Sequence, residues 1–249
     1  MSKQLAVAAL FALAACSSNA VKTDKSDSVI DSMARNAALT AENNHDYEAA
    51  AGNWNMLYQK HPEDPDLALA VARDLRHAGR QQQAIEVAAG FLDHHGAQPL
   101  LVAELGKDYL AADRLGLAER TLRQAAALAP KDWQVLSALG VTQDYQGDHA
   151  GAQETYAHAL AITPDNPVIL NNLGLSQAQA GHLAEARATL KRAADQPAAT
   201  AQTRQNLALV EALSGNPEAA ERLARQDLTP EMARANADYF KLLAGAQKP

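Results

Sequence analysis

The chain has 249 residues, 22 basic and 29 acidic, for a net charge of −7. That balance leaves no electrostatic footprint for nucleic acid, and no basic amphipathic stretch is present for an anionic lipid surface. Apolar residues make up 47% of the sequence and aromatics only 4%, a composition that fits an alanine-rich helical chain.

The first element runs from Lys3 through an almost wholly apolar stretch, Leu5 to Ala15. A bilayer span needs about twenty apolar residues, so residues 1–15 read as a cleavable leader and not as a transmembrane helix. The stretch ends in Leu13-Ala14-Ala15-Cys16. This resembles the lipobox cut by the bacterial lipoprotein signal peptidase, in which small residues precede the cut and the thiol receives a diacylglycerol. Cys16 is the single cysteine of the chain and has no intramolecular disulfide partner. No cofactor is expected apart from this covalent lipid. Two or three acyl chains, at about 0.8 kcal/mol per buried methylene, hold a protein to a membrane stably where one does not. Ser17 and not Asp follows the cysteine, which favours the outer membrane, facing the periplasm, over retention at the inner membrane. Residues 16–30, rich in Ser, Asp, Lys and Asn, read as a lipidated flexible tether.

Beyond the tether, Ala50, Ala84, Ala118, Ala152, Ala186 and Ala220 stand 34 residues apart without slippage. Thirty-four is the period of the tetratricopeptide helix–turn–helix repeat. Six repeats follow: 31–64, 65–98, 99–132, 133–166, 167–200 and 201–234. Counting within each repeat, position 7 is apolar throughout and position 8 is small: Ala38, Ala72, Gly106, Gly140, Gly174 and Ala208. Small residues at position 8 let the first helix approach the second, whose positions 20, 24 and 27 share one stripe. Gly79, Gly147, Gly181 and Gly215 at position 15 are placed to end first helices with positive φ. Pro62, Pro130 and Pro164 close second helices. Asn166-Pro167 and Thr229-Pro230 read as N-cap followed by first helical residue. The repeat at 65–98 carries Gly90 inside its second helix and Gly96 in place of the closing proline, which makes it the softest joint. After the repeats, Met232, Ala235, Tyr239, Leu242 and Leu243 form an apolar stripe, predicting a capping helix over 230–244. The expected fold is all-α, a right-handed superhelical solenoid of about six repeats with a C-terminal cap.

No phosphate loop, cysteine pair or nucleophile elbow is present. His94 and His95 are adjacent and diverge by about 100° on a helix, so they do not share a metal in the i, i+4 manner; they are expected in the loop before the third repeat. Asp144 and Tyr145 have no evident catalytic partner and read as surface polarity. The chain is therefore expected to be no enzyme and to hold no metal or small-molecule substrate.

In this architecture the first helices line a concave face at positions 2, 5, 9, 12 and 13. These are Leu100, Ala103, Lys107, Leu110 and Ala111; Gln134, Ser137, Val141, Asp144 and Tyr145; Val168, Asn171, Leu175, Ala178 and Gln179; and Gln202, Gln205, Leu209, Ala212 and Leu213. The mixture is apolar and amide-rich with few charges, which suits a peptide or helix lying in a groove. Asn172 and Asn206 at position 6 read as structural.

From Gly106 to near Leu243 the chain resembles the TadD family of tight-adherence (Flp) pilus assembly lipoproteins. The resemblance rests on the lipobox and repeats together with Ser137-Ala138-Leu139-Gly140-Val141, Asn171-Asn172-Leu173-Gly174-Leu175-Ser176, Arg204-Gln205-Asn206-Leu207-Ala208-Leu209 and the ending from Asp227-Leu228-Thr229-Pro230-Glu231 to Tyr239. It implies a non-enzymatic, pilotin-like role in bringing the pilus secretin to the outer membrane. The residues themselves leave another envelope partner open, such as β-barrel assembly or cell-wall machinery.

Overall fold

The computed structural model describes the backbone of residues 17–246 and the side chains of residues 28–240 other than residue 237. The lipobox residues Leu13, Ala14, Ala15 and Cys16 lie outside the described residues, as do the side chains of Leu242 and Leu243. Among the described residues there are thirteen α-helices and no strand. They are α1 (Ser17–Asn43), α2 (Tyr47–Lys60), α3 (Pro65–His77), α4 (Gln81–His95), α5 (Pro99–Ala111), α6 (Leu115–Leu128), α7 (Trp133–Tyr145), α8 (His149–Ile162), α9 (Pro167–Gln179), α10 (Leu183–Ala194), α11 (Ala201–Leu213), α12 (Pro217–Ala224) and α13 (Pro230–Ala246). Each predicted repeat holds one pair, and from the second repeat onward each first helix begins at position 1.

The local grammar explains those bounds. Asp64, Asp132 and Asn166 accept hydrogen bonds from the first free N–H groups of α3, α7 and α9. Gly79, Gly147, Gly181 and Gly215 take φ of 76° to 86°, as their place at position 15 predicts. Repeats one and three have no glycine there, and His45 and Asp113 adopt the same left-handed conformation, with φ of 58° and 57°. The two helices of a repeat thus need a left-handed joint whatever residue supplies it.

The chain divides into two compact units, Met1–Phe91 and Leu92–Pro249, with the boundary next to Gly90 in α4. In the first unit, Ala34 and Ala38 of α1, Ala50, Trp54 and Leu57 of α2, and Leu67 and Val71 of α3 form one core. In the second, each helix from α5 to α10 packs on the next, and α11, α12 and α13 continue the series. Its core is layered. Leu122 and Val135 belong to one layer, Tyr156 and Ile169 to the next, and Leu190, Leu207 and Val210 to a third. Burying each such large side chain contributes about 1.5–3 kcal/mol.

The period-34 alanines are the floor of this packing: Ala50, Ala84, Ala118, Ala152 and Ala186 have no exposed surface and Ala220 almost none. Position 8 meets position 24 directly. A methyl group added to Gly106, Gly140 or Gly174 would lie 2.7, 2.5 or 2.6 Å from an atom of Leu122, Tyr156 or Leu190 respectively. Where position 8 is alanine, position 24 is Ala88 or Ala224, or the flat indole of Trp54. The two positions share one volume.

Three expectations need correction. Residues 17–30 are helical, forming the first half of α1, because no Gly or Pro interrupts the chain between Ser17 and Asn43. His94 and His95 lie in the last turn of α4 and not in a loop. The capping helix α13 forms, but turned by about one residue. Ala233 is fully buried and Phe240 packs on Ala208, Ala212 and Ala220, while Met232, Ala235 and Tyr239 of the predicted stripe are exposed.

Candidate partner-binding face

The predicted face divides by register. At position 2, Leu100 and Val168 are 59% and 51% exposed, and Gln134 and Gln202 are exposed as well. At position 9, Lys107, Val141, Leu175 and Leu209 are all half-buried, so each presents one side to solvent. At position 13, Tyr145 is 70% exposed and Gln179 exposed. Positions 2, 9 and 13 therefore form the accessible strip. Its one cation, Lys107, has Glu104 at 3.6 Å as a charge partner.

Positions 5 and 12 mix buried side chains, Ala103, Ser137 and Ala212, with half-buried ones, of which Asn171 and Asp144 are engaged by internal hydrogen bonds. Asn172 Nδ2 donates to Ser137 Oγ at 3.2 Å, Asn171 Nδ2 donates to Asn172 Oδ1 at 3.3 Å, and Asn206 Nδ2 donates to Asn171 Oδ1 at 2.8 Å. These side chains form a polar ladder across α7, α9 and α11. It gives the position 6 asparagines their structural role and takes Asn171 largely out of the free surface. Gln205 is half-buried.

Asp144 is not surface polarity. Tyr156 donates its hydroxyl hydrogen to Oδ2 at 2.9 Å, Ser176 donates to Oδ1 at 2.6 Å, and His149 Nδ1 lies 2.9 Å from the same oxygen. Burial, and then the Asp144 charge, push the Tyr156 hydroxyl far above its usual value, so it remains a donor. Ser176 and His149 both turn to the carboxylate, so the trio is not a nucleophile–base relay. It fastens α7, α8 and α9.

The first unit repeats this device at the same register. Glu42, at position 12 like Asp144, accepts from Trp54 Nε1 and from Arg73 Nη2, both at 2.6 Å. Trp54, like Tyr156, stands at position 24. Arg73 Nε donates in turn to Asp74 Oδ1 at 3.0 Å. Burial pushes the Asp74 carboxyl up to about 6, against the opposing pull of Arg73 and with a further push from the Glu42 charge. Sequence reading missed the column to which Asp74 belongs: Asp74, Asp108, Thr142, Ser176 and Val210, all at position 10, have no exposed surface. The run of short side chains at one register was the available signal.

Residues 145–213 match a tetratricopeptide repeat family model. A thermophilic TPR protein of Thermus thermophilus is similar in structure, with a TM-score of 0.59 over 70% of this chain and 97% of that chain, at 19% identity. The fold is that of the tetratricopeptide repeat. The MamA protein is also similar, with a TM-score of 0.54 over 67% of this chain and 91% of that one, at 20% identity. No curated protein matches the chain.

Of the predicted face residues, the fold brings Val168, Asn171 and Gln202 together around one cleft of about 220 Å3 where α9 and α11 begin. No three His, Cys, Asp or Glu side chains among the described residues are arranged to hold a metal ion. Among the same residues no helix is long and apolar enough to cross a membrane.

Proposed function

We propose that this chain is a lipid-anchored, periplasm-facing scaffold of the outer membrane, and that it acts as a pilotin-like assembly factor for the secretin of a Tad (Flp) pilus. The observation that carries the scaffold reading is the strip at positions 2, 9 and 13 of the second unit. Leu100, Val168 and Tyr145 are exposed there beside Gln134, Gln179 and Gln202, with one partnered cation among them. An apolar strip with amides suits a protein segment: side chains dock on the aliphatic residues and the amides meet the backbone. The role is non-enzymatic. Leu13-Ala14-Ala15-Cys16 supports the anchor, and the run from Arg204 to Leu209 with the ending after Thr229 supports the pilus assignment.

The test uses cells carrying the parent gene, a deletion, Cys16→Ser, or Leu175→Asp with Leu209→Asp. Membranes are fractionated and the detergent-resistant secretin multimer is followed. The multimer should be lost or misplaced in all three altered strains, and Cys16→Ser should leave partner affinity in solution intact. A normal multimer throughout would refute the secretin assignment and turn the search to β-barrel assembly or cell-wall partners.

A further inference from the structure

The fastening at Asp144 has a counterpart in the first unit that differs from it in the group that donates. Ser176 follows Asp144 by 32 residues and donates its hydroxyl hydrogen to Oδ1 at 2.6 Å, joining α9 to α7. Asp74 of α3 follows Glu42 of α1 by the same interval, at the same two registers of the repeat. A hydroxyl always carries a hydrogen to donate, whereas a carboxyl carries one only when protonated. We infer that Asp74 and Glu42 form a proton-operated clasp: with a proton on Asp74 its carboxyl donates to Glu42 and fastens α3 to α1, and without it two like charges meet there and the joint loosens.

The geometry leaves that place open for a proton. Glu42 Oε1 accepts from Trp54 Nε1 of α2 and from Arg73 Nη2, both at 2.6 Å. Asp74 Oδ1 accepts from Arg73 Nε at 3.0 Å, while its Oδ2 is buried and accepts no hydrogen bond. One guanidinium therefore faces two carboxylates. Its screening is unequal, because the Arg73 side chain is 38% exposed and that of Asp74 only 1%. Among the described residues of the first unit, Glu42 and Arg73 are the charged groups acting on Asp74. α2 presents the neutral indole of Trp54, and the buried residues of α4, namely Ala84, Ile85, Ala88 and Phe91, carry no charge.

An ionised carboxylate so placed is costly, and binding a proton relieves it most directly. The Glu42 carboxylate is within hydrogen-bond reach to receive that proton. Burial first, and then the Glu42 charge, hold the Asp74 carboxyl at about 6 with the joint closed, against 3.8 for a freely solvated carboxyl. The sign follows from that order. The clasp is tightest at pH 4 and weakens as pH rises through 6, changing the opening equilibrium on the order of fiftyfold by pH 8. The inference concerns the joint of α1 with α3 and stands whatever partner the chain binds.

Hydrogen exchange of the full chain, followed by mass spectrometry and corrected for the intrinsic pH dependence of amide exchange, reads the joint. Protection of residues 38–43 in α1 is compared at pH 4 and pH 8 in the parent and in Asp74→Ser, so that titration of the other carboxylates cancels. Between the two pH values the parent should lose at least about tenfold more protection than Asp74→Ser, which supplies the hydroxyl found at Ser176. Asp74→Asn, whose amide also donates without titrating, should behave as Asp74→Ser does and replaces it if the smaller side chain unfolds the unit. Ser176→Asp moves the device to the second unit. There the amides of α7 around Asp144 should acquire a loss of protection with rising pH that the parent lacks, or the variant should fold only in acid. Equal pH dependence in the parent and in the variants at Asp74 would overturn the inference, as would a Ser176→Asp protein with the parent's pH dependence.

Discussion

Gly140→Ala tests the claim that positions 8 and 24 share one volume. The new methyl would lie 2.5 Å from Tyr156 Cε1, 2.8 Å from Cζ and 2.9 Å from Cδ1. Ordinary carbon contacts begin near 3.4 Å, so helix or ring must move by about 0.9 Å. The ring has little freedom, since Tyr156 is buried and its hydroxyl is held by Asp144 at 2.9 Å. Overpacking of this kind costs about 1–3 kcal/mol. Swinging the ring away instead forfeits a hydrogen bond to a charged group, about 1.5–3 kcal/mol. Against either stands the better helix propensity of alanine, about 1 kcal/mol. The net is a loss of up to about 2 kcal/mol, read as a lower urea midpoint by circular dichroism with unchanged slope. Gly116→Ala is the control in the same unit. An added methyl there meets nothing within 4 Å, so the change should be neutral or stabilising by up to about 1 kcal/mol. If Gly140→Ala proves as stable as the parent, the helices part freely at this point and the shared-volume argument is wrong.

Three further outcomes are expected. Gly106→Ala should cost about 1–3 kcal/mol and Leu122→Ala about 2–5, while the double variant, which restores the pairing seen at Ala208 and Ala224, should cost at least about 1 kcal/mol less than their sum in a urea double-mutant cycle. Asp74→Asn should stabilise the protein at pH 8 and progressively less on acidification. The folded carboxyl at about 6 binds its proton more tightly than the unfolded one at 3.8, so Asp74 lowers stability as pH rises through that window. The shift corresponds to on the order of 3 kcal/mol at neutral pH, and a stability gain that is the same at pH 4 and pH 8 would refute it. Asp144→Asn should lower the unfolding free energy measured in urea by about 1.5–3 kcal/mol, since it weakens acceptance from three donors, whereas Gln134→Ala on the exposed strip should change it by less than about 0.5 kcal/mol.

Much of this fold was legible because the period acts through sterics that residue type reveals. Only small residues fit where two helix backbones approach, so the alanines at position 20 and the glycines at position 8 announce the packing. Glycine at position 15 announces positive φ, but His45 and Asp113 do not, because those residues take the left-handed region only where the fold demands it. The capping helix shows where periodicity runs out. Rows 232, 235, 239 and 233, 236, 240 both carry apolar residues, and hydrophobicity alone favours the first, with Met232 and Tyr239. Close packing on α11 and α12 selects the second, since Ala233 is small enough to be fully buried. Asp144 was misread for a different reason. Its donors lie 5, 12 and 32 residues away, and the direction of a short polar side chain has no sequence signature.

The fastenings also decide which residues remain for a partner. Carboxylates at position 12 recur in the first and fourth repeats with an aromatic donor at position 24, so Glu42 and Asp144 are one solution used twice, once in each unit. The ladder through Ser137, Asn172, Asn171 and Asn206 consumes position 5 in the same way. A partner that relied on positions 5 and 12 would have to break these internal bonds, each worth about 0.5–1.5 kcal/mol or more where a charge is involved, before gaining its own. Positions 2, 9 and 13 carry no such penalty in Leu100, Gln134, Val168, Leu175 and Gln202. Recognition is therefore expected to follow those three registers, with Asp144 and Asn206 setting the spacing between successive first helices and so the pitch that a bound segment must match.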